Sequence, residues 1–201
     1  FIMIDTLCRL LDAGVTQFHV VKECENILLD HDYRKLDIGE RWELMAGGRY
    51  YVKPYPSMLV AFAIGEVPEY GRLNIGLAHT DFPMLKIKTQ PDMNRCGYQT
   101  LNVEPYGGLI KETWFDRPLG IAGKVVVQTE DPFRPRTYLY DSERAMCIVP
   151  SLAPHLRKET TGDKMNVQKE LIPVYGLNGQ NVKEKDILPV SYTHLTLPTI
   201  A

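Results

Sequence analysis

The stretch "NIGLAHTDFPMLKIK", Asn74 to Lys88, decides how the fold is interpreted. The residues before His79 have the apolar character of a buried strand. Met84 to Lys88 then alternates apolar and basic side chains, as a half-buried strand does, with Leu85 and Ile87 on one face. His79 is therefore predicted at the carboxyl end of a strand, where α/β sheets commonly place their ligands.

The short His-x-Asp pattern in this stretch can serve a metal site. In extended backbone, residues two apart point to the same side, so His79 and Asp81 can meet. A zinc-binding histidine gives one ring nitrogen to the metal and donates the hydrogen of the other to a fixed acceptor, often a carboxylate. His79 is thus a candidate ligand and Asp81 its orienting carboxylate. The alternative is a structural histidine with both ring nitrogens satisfied inside the protein.

Two helices are predicted upstream. Apolar residues recur at helical spacing from Ile4 to Leu11, and Gly14 can end that helix in the left-handed conformation. Thr16 is a suitable N-cap for a second helix that runs to about Leu29. The inner face of the second helix is predicted to contain Val20, Val21, Cys24, Ile27 and Leu28.

Strands follow the helices. The apolar run "SMLVAFAI", Ser57 to Ile64, predicts a strand buried on both faces. After Gln90 the chain becomes polar and rich in turns, and strand patterns recur in "YQTLNVE", "IAGKVVVQ", "RTYLYD" and "AMCIVP". The sequence predicts an α/β fold, with an α/β lobe in 1–90 and a β-rich domain in 91–189.

Composition excludes several classes of partner. The formal net charge is −2 and the pI about 6.2, which does not favour nucleic acid or an anionic membrane surface. No apolar run approaches the roughly 18 residues of a membrane helix. The four cysteines form no Cys-x-x-Cys pair, and we expect reduced, mostly buried thiols in a cytoplasmic protein.

The last segment, 190–201, has little periodicity. "VSYTHLTLPTIA" is similar to translated adapter sequence at the end of truncated reading frames, so we interpret it as non-native and assign His194 no chemical role. The alternative is a natural strand.

Several motifs together resemble the aspartyl aminopeptidase family of metallopeptidases. "LAHTDFPMLKIK" is similar to its first metal motif, and "YGGLIKETWFDRPLGIAGKVVV" to its most distinctive block, which here includes Trp114, Asp116 and Arg117. "GVTQFHVVKECENIL", "VPSLAPHLRKE" and "MNVQKELIPVYG" also match, in the family's order. The resemblance extends to about Asp186, and it implies that the α/β lobe in 1–90 is only part of a metallopeptidase lobe.

This resemblance implies an exopeptidase with two zinc ions that activate a water molecule, a glutamate as general base, and peptide substrates with N-terminal Asp or Glu. It also implies a homo-oligomer, a shell of twelve subunits, with dimer contacts made by an inserted β-rich domain. By this resemblance His79 is a metal ligand, Asp81 is the catalytic carboxylate behind it, and His155 reaches the substrate site of a neighbouring subunit. The structural alternative for the signature block is equally open. In it, Trp114 is a packed core residue, and Asp116 and Arg117 form an internal ion pair.

The remaining ligands and the base of that family are not recognisable in this sequence. We therefore expect a truncated, inactive piece of a zinc aminopeptidase. The alternative is a non-catalytic oligomerisation fragment. A structural zinc site would need at least three more clustered Cys or His ligands, and the sequence offers no such cluster.

Overall fold

The computed structural model describes residues 2–67, 73–156, 165–178 and 199–200. The chain divides into two compact units, Phe1–Asp81 and Phe82–Ala201. Both helices and sheets are present, so the predicted mixed α/β fold is confirmed.

The first unit carries two helices and a small sheet. Helices α1 (Ile2–Ala13) and α2 (Gln17–Asp30) precede strands β1 (Arg34–Lys35), β2 (Arg49–Tyr55) and β3 (Met58–Ala63). The strand order is β1-β2-β3, with β1 parallel to β2 and β3 antiparallel to it. The cluster of buried residues on this sheet consists of Leu36, Tyr50 and Val52, with Phe62 and Ile64 packed against it.

The predicted helix boundaries are confirmed, with one change at Gly14. Thr16 caps α2, where its hydroxyl accepts a hydrogen bond from the His19 amide at 3.4 Å. Gly14 follows α1, but its φ is not in the left-handed range. A Cβ at Gly14 would lie 2.6 Å from the Leu10 carbonyl oxygen, so glycine is needed here for close approach.

Two predictions of burial are wrong, one for strand β3 and one for the cysteines. Strand β3 forms as predicted, yet it is an edge strand with four exposed residues and two half-buried ones. Helix α1 exposes Ile4, Leu7 and Leu11. Of the four free cysteines only Cys147, in the second unit, is buried. Periodicity identifies the apolar face of an element, but burial needs a partner surface, and the described residues of this unit cover these faces only in part.

A buried carboxylate links α2 to the sheet. Glu25 lies on the inner face of α2 and is 6% exposed. It accepts hydrogen bonds from Lys53 at 2.7 Å, Lys35 at 3.0 Å and the Tyr51 hydroxyl at 3.2 Å. The sequence analysis missed this cluster, although Glu25 follows Val21 at the helical spacing of four.

The second unit is dominated by one antiparallel sheet. Among its described residues the strand order is β6-β9-β10-β5-β4-β11-β7-β8. The strands are β4 (Met84–Arg95), β5 (Tyr98–Tyr106), β6 (Pro118–Leu119), β7 (Ile121–Val127), β8 (Arg136–Asp141), β9 (Cys147–Ile148), β10 (Val174–Leu177) and β11 (Thr199–Ile200). A short helix, α3 (Val167–Glu170), and two 3-10 turns, Lys111–Trp114 and Pro154–Leu156, complete the unit.

The alternation predicted for β4 is confirmed. Leu85 and Ile87 are buried, whereas Lys86 and Lys88 are half-buried. The buried core of this unit consists of Leu85, Ile87, Leu101, Val103, Leu119, Ile121, Cys147, Val149 and Leu171.

A tight hairpin turn joins β4 to β5. Cys96 (φ 49°) and Gly97 (φ 83°) both lie in the left-handed region, as a two-residue type I′ turn requires. Gln90, at the predicted boundary between the two domains, lies within β4. The segments 1–90, 91–189 and 190–201 stay predictions as domains.

Most of the segment interpreted as non-native lies outside the described residues, as does His194. Thr199 and Ile200 are described, and they pair antiparallel with β4 and with β7. The origin of this segment stays a prediction.

Candidate functional site

The segment that carries His79 is not a strand. Residues 73–83 have no regular secondary structure, and Leu73, Ile75 and Leu77 are 80%, 70% and 93% exposed. The predicted buried strand ending at His79 is therefore wrong for this structure. A strand requires a neighbour for its backbone N–H and C=O groups, and no described strand pairs with these residues.

His79 and Asp81 are in contact as predicted, but the hydrogen bond is made to the Asp81 backbone carbonyl, with the carboxylate nearby. His79 Nδ1 lies 2.6 Å from the Asp81 backbone oxygen and 3.3 Å from its carboxylate Oδ1. Both contacts involve Nδ1, and both partner atoms are acceptor oxygens of Asp81. Nδ1 therefore carries the ring hydrogen, and Nε2 carries the free lone pair. The His79 side chain is 82% exposed, which leaves Nε2 accessible.

One hydrogen bond ties this segment to the small sheet. The Thr80 hydroxyl donates to the Ser57 carbonyl at 3.0 Å, in the turn between β2 and β3. The residue between His79 and Asp81 is thus fixed to the strand pair by its side chain. The sequence analysis did not identify this role for Thr80.

The His79–Asp81 pair fits one ligand of a zinc ion. An imidazole whose Nδ1–H is held by a carboxylate or carbonyl is the form that binds zinc through Nε2. A zinc site needs further ligands, and within the described ranges no group of three or more His, Cys, Asp or Glu side chains could hold a metal ion. The metal role of His79 and the catalytic role of Asp81 stay predictions.

His155 is exposed, as expected for a residue that acts in the site of a neighbouring subunit. It lies in the 3-10 turn Pro154–Leu156. Its substrate-binding or inter-subunit role stays a prediction.

The signature block fastens the chain four residues before His155. The Asp116 carboxylate accepts the Ser151 amide at 3.0 Å and also the Ser151 hydroxyl, and the Asp116 amide donates to the Val149 carbonyl at 2.8 Å. Asp116 has a φ of 56°, in the left-handed region that aspartate tolerates better than most residues. We call these contacts of Asp116 with Val149 and Ser151 the Asp116 clamp.

The neighbours of Asp116 have structural contacts. Trp114 packs against the buried core of the unit, which is the packed tryptophan considered above. Arg117 donates to the Thr113 carbonyl at 3.5 Å. The signature block thus anchors the segment that leads to His155. No local pattern indicated Ser151 as the hydrogen-bond donor to Asp116.

Comparison with known families identifies the class of protein. A family model described as "Aminopeptidase I zinc metalloprotease (M18)" matches residues 10–196. The model describes metallopeptidase enzymes that use zinc. Because the match covers most of the sequence, the chain belongs to the M18 aminopeptidase family.

Bacterial relatives agree. The chain is 37% identical over 175 residues to a probable M18 family aminopeptidase 2 of Clostridium acetobutylicum, a match that covers 85% of this chain and 40% of the relative. It is 40% identical over 167 residues to the protein of the same description in Stutzerimonas stutzeri, covering 82% of this chain and 38% of the relative. The chain thus spans about 40% of the length of the curated relatives it matches.

Solved structures share the fold. A chain in the structure of the Ape4 and Nbr1 complex superposes with a TM-score of 0.80 at 27% identity, over 97% of this chain and 43% of that one. The structure of the S. cerevisiae mApe1 dodecamer superposes with a TM-score of 0.66 at 21% identity, over 96% of this chain and 46% of that one. The second match shows similarity of fold alone.

In the part of the chain that the structure describes, no helix is long and apolar enough to cross a membrane.

Proposed function

We propose that this sequence belongs to a zinc aminopeptidase in which His79 binds a metal ion through Nε2 and Asp81 orients the ring. The observation that carries the proposal is the contact of Asp81 with His79 Nδ1 at 2.6 Å through the carbonyl and 3.3 Å through the carboxylate. Zinc bound there would supply Lewis-acid chemistry, acidifying a water molecule and polarising the scissile carbonyl. Asp81 fixes the ring tautomer and raises the basicity of the ligand.

The substrates are peptides with a free α-amino group, with N-terminal Asp or Glu preferred. Membership of the M18 family supports aminopeptidase chemistry. The acidic preference rests on the resemblance of the motifs to aspartyl aminopeptidases.

The protein acts as a homo-oligomer, for which twelve subunits are the expected number. The exposed position of His155 supports a role in a neighbouring subunit's substrate site, and mApe1 of S. cerevisiae is described as a dodecamer. The four free cysteines fit a reducing compartment such as the cytoplasm.

Residues 1–201 alone are proposed to be inactive. A dinuclear site holds its metals roughly 3.5–4 Å apart with several carboxylate and imidazole ligands. Among the described residues no group of three or more such side chains could hold a metal ion, and His79, with Asp81 behind it, is the one ligand that the motif identifies. One imidazole does not retain two zinc ions, so we infer that the described residues alone activate no water.

Two preparations test this proposal: the 201-residue chain, and a protein of the relatives' full length that contains it. Each is incubated with zinc and with short peptides that begin with Asp, Glu or Leu, and N-acetylated peptides serve as the control. We expect the longer protein to release Asp and Glu from free N-termini only, and the 201-residue chain to release nothing. Metal-dependent turnover by the homogeneous 201-residue chain would contradict the proposed inactivity, and no turnover by the longer protein would favour an oligomerisation role.

A further inference from the structure

A cavity of about 240 Å³ opens in the second unit between β4, β5 and the segment around α3. Its polar lining consists of three cationic side chains and three amide side chains: Lys88, Arg95, Lys169, Asn102, Asn166 and Gln168. Among the lining residues that the structure describes, none is Asp or Glu. The described lining is therefore cationic, in a chain whose net charge is −2.

The β4–β5 ladder is irregular beside this cavity. Ile87 pairs with Val103 and Asp92 with Leu101, so four residues of β4 stand against the single residue Asn102 of β5. The Asn102 side chain donates to the Gln90 carbonyl at 3.2 Å and so fixes the bulged stretch. Lys88 is the first residue of this bulge, which displaces it from the regular pleat.

The two carboxylates closest in sequence already accept hydrogen bonds. The Asp92 carboxylate accepts one from the Tyr175 hydroxyl at 2.9 Å, and the Glu170 carboxylate accepts one from the backbone N–H of Asn166 at 2.7 Å. Within the described residues, neither Lys88 nor Arg95 nor Lys169 forms an ion pair. Three cations around one cavity repel each other, and an anion placed between them would relieve that repulsion.

We propose that this cavity binds a small oxyanion carrying two or more negative charges, such as a phosphate or a dicarboxylate. The guanidinium of Arg95 can bind two oxygens of such a group at once, and the lysines and amides add single donors. The volume is below the roughly 300–1,000 Å³ of sites for drug-sized ligands, which favours a compact anion. This proposal does not depend on peptidase activity.

The test is a titration of the 201-residue chain with inorganic phosphate at low ionic strength, followed by calorimetry and by amide NMR shifts. Sulfate and malonate are the parallel arms, because they separate a phosphate site from a general dianion or dicarboxylate site, and chloride at matched ionic strength is the monovalent control. We expect a dissociation constant below about 1 mM for at least one dianion. The shifted amides should be those of Lys88, Arg95, Asn102 and Val167, and chloride should leave them unmoved.

Variants locate the site independently. Arg95→Gln and Lys169→Gln should each weaken binding about tenfold, whereas Arg144→Gln, an exposed cation of the same unit outside the cavity, should leave binding unchanged. If a cavity variant fails to fold, the amide NMR shifts of the unmodified chain still show whether the dianion binds at the cavity. Equal weakening by Arg144→Gln, shifts spread over other basic residues, or no binding of any dianion overturns the proposal.

Discussion

Glu25 is the residue whose environment departs furthest from that of an ordinary surface carboxylate. Burial opposes its ionisation, yet the hydrogen bonds and charges of Lys53 and Lys35 outweigh burial and lower the pKa of Glu25 from 4.5 to about 2. The Tyr51 hydroxyl completes the cluster, and burial together with the Glu25 charge raises the pKa of Tyr51. Helix α2 is thereby held to β1 and β2 by charge as well as by apolar packing.

We predict that Glu25 makes the first unit sensitive to acid. A carboxylate with a lowered pKa stabilises the fold above its unfolded-state pKa, and this stabilisation is lost as the pH falls from about 4.5 toward about 2. The difference in pKa corresponds to about 3 kcal/mol at neutral pH. Glu25→Gln should lower the free energy of unfolding by a similar amount at neutral pH and remove this part of the acid dependence, as measured by urea unfolding at several pH values.

The exposed Glu66→Gln is the matched control and should change the free energy of unfolding by less than about 0.5 kcal/mol. If the free energy of unfolding depends on pH identically in wild type and in Glu25→Gln, the lysines do not stabilise the Glu25 carboxylate.

At the scale of elements, the Asp116 clamp joins the signature block to the chain before His155. In this clamp the Asp116 carboxylate accepts hydrogen bonds from the amide and hydroxyl of Ser151, and the Asp116 amide donates to the Val149 carbonyl. Charge-assisted hydrogen bonds of this kind are stronger than neutral ones, although the exposed position of Asp116 reduces the benefit. The clamp therefore fixes the path of the segment that carries His155.

Removing the clamp should loosen this segment while leaving the sheet folded. We predict that Ser151→Ala costs about 1 kcal/mol and that Asp116→Ala costs more, because it removes both hydrogen bonds and leaves alanine at a left-handed φ. Hydrogen exchange should show that the Ser151 amide loses protection in Asp116→Ala. Glu112→Ala, an exposed neighbour in the 3-10 turn, is the control. An unchanged exchange rate at Ser151 would mean that Asp116 does not hold it.

At the scale of the whole molecule, local patterns predicted the elements and failed where burial depends on distant partners. Strands β4, β5, β7 and β8 form as predicted because alternation and turn residues are encoded locally. The segment 73–79 has the composition of a buried strand, but backbone pairing is a property of the neighbour, which composition does not specify.

In the candidate site too, contacts between neighbours in sequence were predictable and contacts between distant residues were not. The contact between His79 and Asp81 follows from residues two apart and was predictable. The hydrogen bond from Thr80 to Ser57 and the one from Ser151 to Asp116 join residues distant in sequence, so no local pattern indicates them. The cluster around Glu25 was missed for the same reason, since its lysines come from β1 and β2.

The central claim is that His79 binds zinc. The most direct measurement is the zinc content per subunit of a protein of the relatives' full length that contains this sequence, compared among wild type, His79→Ala and the exposed control His31→Ala. We predict that His79→Ala loses one zinc ion per subunit and loses activity. Asp81→Asn should retain zinc but lower kcat. His31→Ala should have the zinc content and activity of the wild type. Full zinc content and full activity in His79→Ala would contradict the account.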